Sequence, residues 1–91
     1  MSFAQIHLRS ALYALATGPG SIMDRLRDAE DSLMKAENFN EFPSDLRNAL
    51  IELRQEILSA LREDNYPENE ASRLAGRVFT LYEKIHDAAT H

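Results

Sequence analysis

Apolar residues in this chain return at alternating steps of four and three. Ile22, Leu26, Ala29, Leu33 and Ala36 keep that rhythm, as do Leu46, Leu50, Leu53, Ile57 and then Ala60 or Leu61. Ala71, Leu74, Val78, Leu81, Ile85 and Ala88 repeat it. At 3.6 residues per turn this spacing draws one apolar stripe along each helix, which antiparallel bundles bury against one another. No alternation of apolar and polar residues runs long enough to argue for a strand.

Glycine and proline fall where a helical chain needs breaks. Thr17-Gly18-Pro19-Gly20 stops a first helix, with Gly18 suited to the left-handed cap position and Pro19 blocking continuation. Ser21 is the expected N-cap of a second helix, and Asp24 suits its electropositive first turn. Asn38 to Phe42 forms the next break, and Pro43, tolerated at a first helical position, opens a third helix. Asp64-Asn65-Tyr66-Pro67 makes the last break. The pattern predicts an all-α fold, a four-helix antiparallel bundle with helices near residues 3–16, 21–37, 43–63 and 67–89, in one domain spanning 1–91.

The first helix breaks the one-stripe rule. Ala4, Leu8, Ala11, Leu12 and Leu15 share one face, while Phe3, Ile6 and Tyr13 fall roughly opposite, among Ser10 and Ala14. A helix apolar on two sides is buried on both, is covered by other groups, or presents an interface. Central placement or cover from aromatic loops is one expectation; a dimer or partner interface at Phe3, Ile6 and Tyr13 is the other. Phe39, Phe42 and Tyr66 lie in connections, where they either plug the bundle ends or form an aromatic binding rim.

Composition narrows the classes. Apolar residues make up 44% of the 91, enough for a core, and net stability should lie at roughly 5–14 kcal/mol. Without cysteine there is no disulfide, thiolate zinc site or cysteine nucleophile, which suits a reducing cytoplasm. The apolar run Ala11 to Ala16 is shorter than a signal-peptide core and has only Arg9 just ahead of it, and no segment approaches a membrane span. A soluble cytoplasmic protein with no membrane contact is therefore expected. The net charge of −5, from 10 Lys and Arg against 15 Asp and Glu, repels phosphate backbones at long range.

Candidate chemistry is sparse. Glu83 and His86 have the Glu-x-x-His spacing of di-iron bundles, but there is no second copy, and Glu83 falls off the core stripe. Asp24, Asp28 and Asp31, with Glu52 and Glu56, are interleaved with Arg25, Arg27, Lys35 and Arg54, as in a solvated, salt-bridged face. The turn before Ser21 precedes a helix N-terminus but lacks the lysine and glycine spacing of a phosphate loop. His7, His86 and His91 are scattered. No metal, cofactor or catalytic residue is expected, and so no enzyme. Gly76 is unusual within a helix and projects away from the core. Arg73, Arg77 and Lys84 align on one flank of the fourth helix, where they would either reach nucleic-acid phosphates or pair with acids on the second or third helix.

The segment from Ala11 through Thr17-Gly18-Pro19-Gly20-Ser21-Ile22, with Asp24-Arg25-Leu26, resembles small uncharacterised bacterial proteins. These share a leucine/tyrosine helix followed by an Ala-Thr-Gly-Pro-Gly turn. Phe42-Pro43-Ser44-Asp45-Leu46-Arg47 and Leu81-Tyr82-Glu83-Lys84-Ile85 are similar to later parts of that pattern. The resemblance implies a bacterial, intracellular helical protein and carries no activity, cofactor or functional residue. Together these features point to a non-enzymatic bundle that binds a protein partner or itself, as a homodimer, through the outer face of the first helix. A nucleic-acid-associated regulator using Arg73, Arg77 and Lys84 is the alternative.

Overall fold

A computed structural model describes residues 3–39 and 41–90, without the side chains of residues 89 and 90. Its helices are α1 (Phe3–Thr17), α2 (Ile22–Glu37), α3 (Ser44–Leu61) and α4 (Glu68–Thr90). They form an all-α four-helix bundle with extents of 40 × 23 × 19 Å. Each helix packs on the next in sequence and α4 closes against α1; α2 also approaches α4, making that pair the short diagonal. Short connections and the cross-links described below run each neighbour antiparallel.

The stripes supply the core. Leu8, Leu26, Leu33, Leu50, Ile57, Val78 and Ile85 are its largest fully buried side chains. Alanines at 4, 11, 29, 36, 60 and 71 sit between them and let the helices approach closely. Ala75 joins from the edge of the expected stripe, whereas Ala88 is exposed. At 23 residues α4 is the longest helix, against 18 for α3. Phe42 and Tyr66 are half-buried and pack against the core.

The turn after α1 corrects one expectation. The left-handed residue is Gly20 (φ 90°), not Gly18. Gly18 instead continues the helical hydrogen bonding, its N–H donating to the Ala14 carbonyl at 2.9 Å. A β-carbon there would collide with that same oxygen, so close approach is what Gly18 permits. Beyond Gly20 the Ser21 hydroxyl accepts from the Asp24 N–H (3.3 Å), and the Asp24 carboxylate accepts from the Ser21 N–H (3.1 Å). This reciprocal capping box satisfies two amide donors at the start of α2. Pro43 occupies the N-cap of α3 rather than its first helical position. That helix also stops at Leu61, because Arg62 and Glu63 donate to the Ser59 and Ala60 carbonyls three residues back, tightening the final turn.

The connection between α2 and α3 fastens the beginning of α1. Glu41 accepts from the Ala4 N–H at 2.9 Å, placing a carboxylate where the helix dipole favours one. The Phe39 ring stacks on Phe3 and on His7, each with centroids 5.5 Å apart.

Candidate functional site

Three of the large apolar side chains left in solvent lie on α1, and they are more exposed than Met34 on α2, Phe39 in the following connection and Phe79 on α4. Phe3 is 66% exposed, Ile6 45% and Tyr13 71%, while Ala4, Leu8, Ala11 and Leu15 on the other side are buried. Phe39 is itself partly exposed at the Phe3 end. Its stacking shields one face of the Phe3 ring and leaves Ile6 and Tyr13 exposed.

This face is more regular than three residues suggest. Phe3, Ile6, Ser10, Tyr13 and Thr17 follow steps of three and four, the spacing of a coiled-coil seam. The two aliphatic hydroxyls on it turn inward along their own helix: Ser10 donates to the Ile6 carbonyl (3.2 Å) and Thr17 to the Tyr13 carbonyl (2.8 Å). Neither needs an outside acceptor, so both can be covered at low cost. Covering the exposed parts of Phe3, Ile6 and Tyr13 contributes roughly 3–5 kcal/mol, given about 1.5–3 kcal/mol for each large apolar side chain moved fully out of water.

The basic flank of α4 is arranged differently. Arg73, Arg77 and Lys84 are exposed along one line, but Arg77 donates to Glu56 of α3 at 2.6 Å. That hydrogen bond holds the Glu56 carboxyl below its ordinary value despite partial burial, and raises the Arg77 guanidinium. The ion pair stands between two shallow grooves along the α3–α4 seam. One, of about 420 Å³, has an apolar floor at Leu46, Ala49, Leu53 and Leu81 beneath Arg77 and Lys84; the other, of about 280 Å³, lies beside Tyr66 and Leu74.

Most of the acidic residues lie on solvated faces. Arg27 pairs with Asp24 (3.5 Å) and Lys35 with Asp31 (3.1 Å) along α2, both largely exposed. Glu83 and His86 are exposed, with His86 stacked on Tyr82, and among the described residues no three His, Asp or Glu side chains are placed to hold a metal ion. A β-carbon on Gly76 would meet nothing within 4 Å.

Arg54 was not singled out from sequence as a link between helices. From α3 it donates through Nε to Glu37 (2.5 Å) and through Nη1 to Glu30 (3.1 Å), both on α2, with side chains only 16–19% exposed. Burial works against its charge, yet the bonds to Glu37 and Glu30 outweigh that and raise the guanidinium pKa. Its partners lie 17 and 24 residues away, beyond any helical periodicity.

No known protein family, curated protein or solved structure matches this chain. Among the described residues no helix is long and apolar enough to cross a membrane.

Proposed function

We propose that this bundle is a non-enzymatic interaction protein that docks through the outer face of α1. The observation that carries the reading is the exposure of Phe3, Ile6 and Tyr13 on a helix whose opposite face is already buried in the core. A monomer gains nothing by keeping two aromatics and an isoleucine together in water, whereas a partner that covers them removes apolar area from solvent. The basic flank of α4 supports nucleic-acid binding less well, since Glu56 answers Arg77 and the chain carries −5 overall.

A photoreactive amino acid placed at Ile6 or Tyr13 in cells tests this, with Asp28 on the charged face of α2 as the control position. Adducts, to another copy or another protein, are expected from the α1 positions and not from Asp28. Equal labelling at all three overturns the reading. The combined Phe3→Ser, Ile6→Ser and Tyr13→Ser variant is expected to keep its helical circular dichroism and cooperative melting; loss of the fold would make these residues structural.

A further inference from the structure

We infer, on the reading that the outer face of α1 is a docking surface, that its occupant is a second copy of this chain, packed antiparallel about a twofold axis level with Leu8. The spacing of the face carries the geometry. Phe3 and Tyr13 lie symmetrically about residue 8, and so do Ile6 and Ser10. An antiparallel pair of α1 helices with that midpoint sets Phe3 against the partner's Tyr13 and Ile6 against the partner's Ser10. Each contact then occurs twice, as a twofold interface requires. The sizes match: aromatic meets aromatic at both ends, and in the middle a branched side chain meets a small one. The inward-turned Ser10 hydroxyl leaves room there without an unpaired donor. Phe39 stacks on Phe3 and fixes an anchor ring before association, which lowers the ordering cost of binding.

Charge selects the occupant. Between Phe3 and Thr17 there is no Asp or Glu, and Arg9 is the single Lys or Arg, whereas the whole chain carries −5. Two copies of an acidic molecule repel wherever their acidic helices meet, and α1 is the helix on which that repulsion is least. A basic partner would instead be drawn to the acidic faces of α2 and α3. The helix is roughly 22 Å long at 1.5 Å per residue, and a single-helix contact falls below the approximately 800 Å² per partner of a standard interface. The dimer is therefore of the weak, transient kind.

Sedimentation equilibrium of the full chain, from low micromolar to several hundred micromolar, is the first arm of the test. A rise from the monomer mass to twice that mass is expected, and Tyr13→Glu should weaken it at least about tenfold while circular dichroism stays unchanged. The second arm uses the absence of cysteine. Ile6→Cys and Ser10→Cys proteins are mixed and oxidised in air, and the mixed disulfide should outrun the Ile6→Cys homodisulfide. Faster homodisulfide formation at Ile6 overturns the antiparallel pairing. A monomer at every concentration overturns the second copy as occupant. In that case an in-cell adduct at Ile6 to a different protein leaves the docking reading standing, while labelling no stronger than at Asp28 ends both.

Discussion

Single residues show how far local chemistry reaches. Ser21 as N-cap and Asp24 as a first-turn acid were legible from four consecutive residues, while the carboxylate reaching back to the Ser21 N–H was added by the structure. Gly18 and Gly20 were not separable, because two glycines flanking a proline satisfy the same pattern and only backbone geometry shows which one turns left-handed. Gly76 has open space around it, so Gly76→Ala should raise stability by about 0.5–1 kcal/mol in urea unfolding, through helix propensity alone. A fall in stability there would show that another backbone occupies that face. Arg54 gives the opposite case. Arg54→Ala leaves Glu30 and Glu37 part-buried without their cation, and should cost about 2–3 kcal/mol at neutral pH, somewhat below the range for fully buried pairs. Paired denaturation curves of the variant and the unaltered protein at neutral pH would record the deficit.

At the scale of elements, all four helices were legible from the four-and-three rhythm, with ends displaced by one or two residues. The displacements have local causes: Pro43 caps α3 from outside, and the tightened turn at Arg62 stops it early. Two-sided α1 was visible as a conflict in its pattern, but periodicity could not say whether its second face was covered. That depended on where Phe39 came to rest, which is a matter of tertiary packing. Along the α3–α4 seam the sequence offered two accounts of Arg77, and the structure places it on Glu56. Because Glu56 titrates below its ordinary value of 4.5 when folded, its contribution is present above that value and lost as pH falls through the folded one. Glu56→Gln should therefore flatten the acid side of the stability profile. The pair is about half exposed, so the cost at neutral pH should stay within about 0.2–1 kcal/mol.

For the molecule as a whole, charge was legible from composition, and its placement follows once the helix boundaries are known. A net −5 describes the chain, while the concentration of acid on α2, α3 and α4 makes α1 the quiet side. Self-association there should tighten as salt rises from about 20 to about 300 mM, because screening relieves the repulsion between two acidic bodies. Binding driven by opposite charges would weaken over the same range, so sedimentation at two salt concentrations separates the cases. The fastening of α1 has a further consequence, in the order of synthesis. The groups holding its first turn, Phe39 and Glu41, belong to the connection that follows α2, so they leave the ribosome ahead of α3 and α4. A nascent chain that has exposed the first two helices and this connection already owns its clasp. It can close a hairpin by local pairing, before the long-range step of seating α4 against α1. One end of the outer face, Phe3 against Phe39, would thus be assembled on a growing chain. Neighbouring ribosomes on one message would then present matching surfaces to each other before either protein is finished.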